Sequence, residues 1–304
     1  MHILLTGGTG LMGRALCRYW LTQGHRLTVW SRSPQRVSSL CGAEVRGIGR
    51  LEELGEEPLD AVINLAGAPI ADRPWTRKRK TLLWASRIGL TEQLLAWLGR
   101  REQKPRVLVS GSAVGWYGDG GERELHEDTP QVTDDFAAQL CGAWEETAQR
   151  AEALGLRVVL VRTGLVLARD GGMLKRLLLP FKLGLGGRLG SGRQWWSWIS
   201  LDDEVRAIAF LLDADVSGPV NLTGPEPVRN REYTKALGRA IHRPTVVPIP
   251  EFGPKLLLGR EMAELLLFTS ARVLPTALLE AGFAFRHRTI EECLTAVLGP
   301  TEVT

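Results

Sequence analysis

A glycine-rich segment near the start of the chain constrains the fold more than any other feature. Thr6-Gly-Gly-Thr-Gly-Leu-Met-Gly13 follows an apolar, strand-like run at Ile3–Leu5 and precedes a helical pattern over Leu11–Gln23. Glycines at this spacing allow a tight turn, a close approach of phosphates to the backbone, and close packing of the helix on the strand. The helix N-terminus adds free N–H groups and the positive end of a dipole. The segment therefore predicts a dinucleotide site that includes Gly7, Thr9, Gly10, Leu11, Met12 and Gly13.

The remainder of the first half alternates short apolar runs with helical patterns. Such alternation is typical of βαβ units, so we predict an α/β, Rossmann-type, doubly wound parallel sheet. The predicted strands are Ile3–Leu5, Arg26–Trp30, Ala61–Leu65, Arg106–Ser110 and Val158–Arg162, and the predicted helices are Leu11–Gln23, Thr81–Arg100 and Phe136–Ala153. Residues 1–165 are expected to form the dinucleotide-binding domain and residues 166–304 a smaller, partly helical substrate-side domain. A segment at about 200–225 is expected to return to the first domain.

Composition excludes several classes of protein. No apolar run in the 304 residues approaches the roughly 18–20 residues of a membrane helix, so no membrane is expected as a partner. The net charge of +4 is too small to predict nucleic-acid binding. Four scattered cysteines, without a Cys/His cluster, argue against a metal site and a disulfide framework. Together with the absence of a secretory signal pattern, they predict a cytoplasmic protein.

The end of the second predicted strand indicates which cofactor the turn would bind. An NAD enzyme usually places an acidic residue about 20 residues past the glycines, where it binds the ribose hydroxyls. No acidic residue precedes Glu44, and the strand instead ends in Ser31-Arg32-Ser33, with Arg14 and Arg36 within expected reach. A guanidinium suits a 2′-phosphate that a carboxylate would repel. The predicted cofactor is NADP(H), with Ser31 and Arg32 at the adenosine end.

The turn resembles the N-terminal motif of the short-chain dehydrogenase/reductase superfamily, because its spacing is GxxGxxG. That resemblance implies a catalytic Ser, Tyr and Lys, the last two as YxxxK on a helix. Ser110-Gly-Ser-Ala113 matches the serine stretch and places Ser112 at the catalytic position. The YxxxK pair is absent, since Phe136 and Leu140 stand where Tyr and Lys are expected. Among possible stand-ins, Tyr117 is preferred over Asp119 and His126, but packing or shaping the substrate pocket is the favoured role for it.

Further stretches narrow the resemblance to a family that covers essentially the whole chain. They include Asn64-Leu-Ala-Gly-Ala-Pro-Ile70, Leu179-Pro-Phe-Lys-Leu-Gly-Leu-Gly-Gly187 and Trp198-Ile-Ser-Leu-Asp-Asp203. The chain resembles the atypical extended short-chain dehydrogenases of the NAD-dependent epimerase family, of the cell-division-inhibitor-like nucleoside-diphosphate-sugar epimerase type. That family lacks the YxxxK pair and binds NADPH, and its extended relatives often dimerise, so a homodimer can form. The implied cofactor contacts are Ser31, Arg32, Leu65, Ala66, Arg87 and Val166, with Gly67, Ser110 and Arg162 as further candidates at strand ends.

Three hypotheses of function follow. The first is an NADP(H)-dependent oxidoreductase or epimerase-like enzyme on a small polar or sugar-like substrate, in which Ser112 orients a carbonyl group and a non-standard donor supplies the proton. The second is a non-catalytic NADPH-binding sensor, favoured by the missing Tyr and Lys. The third is a strict nucleotide-sugar epimerase, which the missing Tyr base disfavours. The loop at Gly184–Gly192 and the second domain favour an enzyme, because a sensor needs no substrate pocket.

Overall fold

A computed structural model describes residues 1–299 of the chain. Its strands are β1 (His2–Thr6), β2 (Arg26–Trp30), β3 (Arg46–Ile48), β4 (Ala61–Asn64), β5 (Val107–Ala113), β6 (Glu124–Leu125), β7 (Arg157–Thr163), β8 (Leu165–Leu167), β9 (Trp195–Trp196), β10 (Trp198–Ser200), β11 (Gly218–Leu222), β12 (Val228–Arg229) and β13 (Arg272–Val273). Its helices are α1 (Leu11–Leu21), α2 (Val37–Cys41), α3 (Arg77–Trp84), α4 (Leu90–Arg100), α5 (Phe136–Gln149), α6 (Gly172–Lys182), α7 (Leu201–Asp213), α8 (Asn230–Ala240), α9 (Phe252–Leu258), α10 (Arg260–Ala263), α11 (Thr276–Glu280) and α12 (Ile290–Leu298).

Seven strands form one parallel sheet in the order β11-β7-β5-β4-β1-β2-β3. The chain runs outward from β1 to β3 and then restarts on the other side of β1 with β4. This reversal is the topological switch point at which open α/β sheets bind ligands, beside the carboxyl ends of the strands. The predicted Rossmann-type doubly wound fold is confirmed.

Helices cover both faces of the sheet because alternate strand residues point in opposite directions. Ile3 and Leu5 pack with α1 and α7, whereas Leu4 packs on the other face with α4 and α5. On the first face, Trp20 of α1 is almost completely buried. Apolar layers of this kind supply the main driving force for folding, at about 25 cal/mol per Å² of apolar surface.

Two predicted helices differ in detail from those observed. The stretch expected as one helix over Thr81–Arg100 begins at Arg77, where Thr76 caps the helix by accepting from the Arg79 N–H. A π-helical turn at Ala85–Gly89 then separates α3 from α4. The stretch expected over Phe136–Ala153 ends as an α-helix at Gln149 and continues as a 3₁₀ segment to Leu154.

The C-terminal part is built from short strand pairs and helices. The pairs are β10 with β8, β12 with β9, and β13 with β6. Trp196 and Trp198 are buried with Tyr233 and Leu237 in the hydrophobic core of this C-terminal lobe, so these tryptophans have a packing role. β11 lies within the range expected to return to the first domain, and it forms an edge of the central sheet. The domain boundary near residue 165 stays a prediction.

Register places two polar residues side by side at the carboxyl edge of the sheet. Ser112 of β5 pairs with Arg162 of β7, and the following pair is Ala113 with Thr163. Asn221 of the edge strand β11 lies opposite Arg162 on the other side.

Within residues 1–299, the helices are all too short or too polar to cross a membrane.

Candidate functional site

The glycine-rich turn has the geometry of a phosphate cradle. Gly7 has φ +72°, and a Cβ on it would lie 2.6 Å from the carbonyl oxygen of Leu65, so only glycine fits. A Cβ on Gly13 would lie 2.4 Å from the Gly7 carbonyl oxygen. α1 starts at Leu11 with neither a side-chain cap nor an acidic residue in its first turn. Its first N–H groups therefore remain available to an anion.

The neighbouring turn after β4 is fixed by a chain of buried hydrogen bonds. The Thr6 hydroxyl donates to Asn64 Oδ1 at 2.8 Å and accepts from the Ala66 N–H at 3.0 Å. The Asn64 amide in turn donates to Thr91 Oγ1 at 2.9 Å and to Ser110 Oγ at 3.2 Å. Leu65 and Ala66 are thus held against the cradle. Ser110 is completely buried beneath them, so its predicted contact with the cofactor stays a prediction.

Ser31 and Arg32 lie directly after β2, the strand next to β1. The Ser31 N–H donates to the Ile48 carbonyl, and its hydroxyl accepts from the Ser33 N–H, which fixes the turn. Arg32 is exposed, and it forms no hydrogen bond or salt bridge with any of residues 1–299. A cation without a partner at this strand end fits a 2′-phosphate.

Arg87 occupies the π-helical turn between α3 and α4, which brings it against the turn after β4. Its guanidinium donates to the Ala68 and Leu83 carbonyls at 3.2 and 3.3 Å, and it lies 5.2 Å from the ring centre of Trp144. A Cβ on Gly67 would lie 2.8 Å from Arg87 Cζ, so a larger residue there would displace the guanidinium. Burial lowers the pKa of Arg87.

Val166 lies in β8 and is half-buried at the edge of the main core. Its carbonyl oxygen would be 3.2 Å from a Cβ on Gly172, and a Cβ on Gly171 would be 2.6 Å from Leu11 Cδ1. The start of α6 therefore packs directly against the start of α1. This contact was missed by the sequence analysis, where the Gly171-Gly172 pair was the available signal.

Ser112 belongs to a buried polar group at the carboxyl ends of β5 and β7. Its hydroxyl donates to Glu145 Oε1 of α5 at 2.6 Å. Arg162 donates to the same carboxylate with two nitrogens, Nε to Oε1 at 2.9 Å and Nη2 to Oε2 at 2.8 Å. The Arg162 and Glu145 side chains are only 2% and 7% exposed. Arg162 thus binds Glu145 in the structure, and its predicted contact with the cofactor stays a prediction.

Glu145 was missed by the sequence analysis. It lies one helical turn after Cys141 and nearly one turn before Ala148, and all three are buried. An acidic residue on the buried stripe of a helix was therefore the signal that could have revealed it. Phe136 and Leu140, at the expected Tyr and Lys positions, pack instead in an apolar cluster with Trp75 and Trp144.

Tyr117 is completely buried, and its hydroxyl is engaged by two neighbours. It donates to Asn221 Oδ1 at 2.8 Å and accepts from Arg162 Nη1 at 3.0 Å. Burial raises the pKa of Tyr117 to about 12, so the phenol is neutral at physiological pH. The Trp116 ring covers the Arg162 guanidinium at 3.6 Å. This geometry favours the packing role considered for Tyr117, and its proton-donor role stays a prediction.

Three further acidic residues, Asp202, Asp203 and Glu204, lie in the first turn of α7. Asp202, Asp203 and His287 approach one another within 4.8 Å. Asp203 is nevertheless saturated, since its carboxylate accepts from Ser200, Arg206 and the N–H groups of residues 286 and 287. Glu204 is fully buried and accepts from the Thr163 hydroxyl at 2.9 Å. Burial raises the pKa of Glu204 to about 8.

Comparison with known proteins agrees with this architecture. A family model described as "NAD dependent epimerase/dehydratase family" matches residues 3–223, and one described as "Domain of unknown function (DUF1731)" matches residues 249–297. The chain is 42% identical over 294 residues to the epimerase family protein Mb2239 of Mycobacterium bovis, covering 96% of each chain. It is 36% identical to the epimerase family protein YfhF of Bacillus subtilis, covering 98% of each chain.

A solved structure shows the same fold throughout. The crystal structure of human epimerase family protein SDR39U1 (isoform 2) with NADPH superposes with a TM-score of 0.88 at 32% identity, covering 98% of this chain and 99% of the human one. The match spans the central sheet and the C-terminal lobe together. The resemblance inferred from the motifs is confirmed, and the chain belongs to the NAD dependent epimerase/dehydratase family.

Proposed function

We propose that the protein is an NADP(H)-dependent oxidoreductase or epimerase-like enzyme. The observation that carries the proposal is that an uncapped helix N-terminus, an unpaired Arg32 and a serine hydroxyl lie along one carboxyl edge of the sheet. When bound, the cofactor supplies hydride transfer at C4 of its nicotinamide ring. The NADPH in the human relative supports the choice of the phosphorylated cofactor.

The chain's own residues have distinct roles in this proposal. The N–H groups of residues 11–13 bind the pyrophosphate, and Ser31 and Arg32 bind the 2′-phosphate. Leu65, Ala66 and Gly67 line the adenosine side, Arg87 supports that turn, and Val166 borders the nicotinamide side. Ser112 orients the reacting oxygen of the substrate.

The proposed substrate is a small polar or sugar-like molecule with a carbonyl or hydroxyl group. The polar group around Ser112 supports this class, because buried hydrogen-bonding groups discriminate strongly for substrates that satisfy them. Cytoplasmic location is proposed from the four scattered cysteines, which are all free and buried. A homodimer through α4 and α5 stays a prediction, and sedimentation analysis tests it.

Transfer of a deuterium label tests the central proposal. Purified protein is incubated with NADPH deuterated at the transferable C4 position and a small-molecule extract of the source cells, and NADPH binding is measured in the same sample. Enzyme-dependent deuterium in a metabolite is expected, and it identifies the substrate. Binding without any labelled metabolite would favour the sensor hypothesis over the enzyme.

The 2′-phosphate assignment makes a separate prediction. Arg32→Asp should weaken NADPH binding by roughly 10- to 100-fold, because a hydrogen bond to a charged group contributes about 1.5–3 kcal/mol. NADH affinity should change far less, so the preference shifts toward NADH. Arg18→Asp, an exposed change near the other end of α1, is the matched control. Calorimetric titration with both cofactors measures the shift, and unchanged NADPH affinity in Arg32→Asp would refute the assignment.

A further inference from the structure

The direction of the hydrogen bond between Ser112 and Glu145 determines which substrate groups the Ser112 hydroxyl can bind. Ser112 donates its only proton to Glu145 Oε1 at 2.6 Å. Its oxygen lone pairs are then the groups it can offer to a substrate. A hydroxyl in this state accepts a hydrogen bond from an alcohol. A carbonyl oxygen finds a donor there only after Glu145 has taken up a proton, which is the starting state of the reducing direction.

Glu145 is held by a cationic neighbour on the adjacent strand. Both carboxylate oxygens receive a hydrogen bond from Arg162, in the bidentate geometry of an ion pair. Burial alone would lower the pKa of Arg162, but its ion pair and hydrogen bonds with Glu145 raise the value above the ordinary one. The third nitrogen of the guanidinium, Arg162 Nη1, donates to the Tyr117 hydroxyl at 3.0 Å and to the Glu127 carbonyl at 3.1 Å.

The placement on α5 gives this carboxylate a functional position. α5 is the helix on which a Tyr and a Lys were expected, and it carries Phe136 and Leu140 at those positions. Cys141 and Glu145 follow, one turn apart, on the buried stripe of the same helix. Glu145 therefore brings a titratable group to Ser112 from the element that lacks the usual pair.

We propose that Glu145 acts through Ser112 as the proton acceptor for a substrate hydroxyl, with Arg162 as the residue that positions its carboxylate. In the oxidising direction, the alcohol O–H bond breaks and its proton passes to Ser112 Oγ. The Ser112 proton passes to Glu145, and bound NADP⁺ would act as the oxidant by accepting the carbinol hydrogen as hydride. The products are a carbonyl compound, NADPH and a protonated Glu145, which returns its proton to water. The inference rests on the proposed function and names its substrate as an alcohol.

Infrared spectroscopy tests the resting state without any substrate. The difference spectrum of wild type minus Glu145→Gln, recorded at pH 6 with and without NADP⁺, should show a carboxylate band. Wild type minus Glu204→Gln provides the internal contrast, because that buried carboxyl should appear as a neutral acid. A carboxylic acid band for Glu145 would overturn the proposal.

Turnover of the substrate found by label transfer tests the relay itself. Glu145→Gln should reduce turnover by about 10²–10⁴-fold, the usual contribution of a general base, while NADP⁺ affinity stays within about twofold. Glu145→Asp should retain part of the turnover. Glu146→Gln, an exposed change on the next residue of α5, is the matched control and should behave as wild type.

Ser112→Ala keeps the Glu145–Arg162 pair, so it covers the case in which Glu145→Gln does not fold. Because both residues act in one relay, the double variant should be no slower than the slower single variant. Full turnover in either folded single variant would overturn the relay and leave the proposed function standing. No label transfer by wild type, with NADPH bound, would overturn the proposed function, and the relay with it.

Discussion

The buried carboxyl of Glu204 should make folding stability depend on pH in a way that a single substitution removes. Burial raises its pKa from an ordinary value of 4.5 to about 8, so the folded protein holds a proton that the unfolded chain releases. The stabilising contribution of this proton is therefore fully present below pH 4.5 and is lost as the pH rises through 8. One proton changes the free energy of unfolding by about 1.4 kcal/mol per pH unit, and the change levels off as the pH approaches the pKa of the folded protein. Between pH 6 and pH 8 the protein therefore loses about 2 kcal/mol of stability.

Glu204→Gln isolates this effect. Glutamine keeps an oxygen that accepts from the Thr163 hydroxyl, which is the carboxyl's contact in the folded chain, and it cannot ionise. Urea unfolding at pH 6, 7 and 8 should show the stability of Glu204→Gln rising relative to wild type by about 2 kcal/mol across this range. Glu146→Gln removes an exposed carboxyl, and its free energy of unfolding should depend on pH in the same way as that of wild type. Parallel pH profiles for wild type and Glu204→Gln would show that Glu204 is not neutral in the folded protein.

Two further predictions concern the cradle and the buried ion pair. Gly7→Ala should cost more stability than Gly24→Ala and should abolish measurable NADPH binding. Both glycines have φ near +72°, but a Cβ strikes the Leu65 carbonyl only at Gly7, and equal losses in thermal unfolding would contradict this. Arg162→Met should destabilise by about 3–5 kcal/mol, because it leaves Glu145 buried without its cation. Adding Glu145→Met should recover much of that loss in urea unfolding, and a still less stable double variant would refute the explanation.

The sequence was sufficient to predict the fold and the cradle because these depend on local signals. Strand runs such as Arg26–Trp30 were found at their observed bounds, and the glycine spacing predicted the turn that begins α1. β3 was missed because its three residues, Arg46–Ile48, contain a single buried apolar side chain. The π-helical turn around Arg87 was missed because no sequence period distinguishes it from the helices on both sides.

Much of the candidate site depends on register and burial, which the sequence does not display. Ser112 and Arg162 were both identified, but as separate motifs. Only the pairing of β5 with β7 places them side by side and brings Glu145 between their polar atoms. In the sequence, Glu145 stands beside Glu146 on an amphipathic helix, where an acidic pair usually marks a solvated face. Likewise, the position of Tyr117 in a loop gave no indication that its hydroxyl would be enclosed.

Stability alone does not explain why a charged pair occupies the carboxyl edge of the sheet. A buried Arg–Glu pair loses hydration of both ions, and well-packed apolar side chains of similar volume often stabilise a protein equally well or better. The apolar cluster around Leu140 and Trp144 on the same helix shows that this region can be packed without charges. The pair is instead joined to a serine at the strand ends, where this fold binds its ligands. The comparison that separates the two explanations is the Arg162→Met/Glu145→Met variant: near-normal stability without label transfer would assign the pair to chemistry, and intact transfer would assign it to packing.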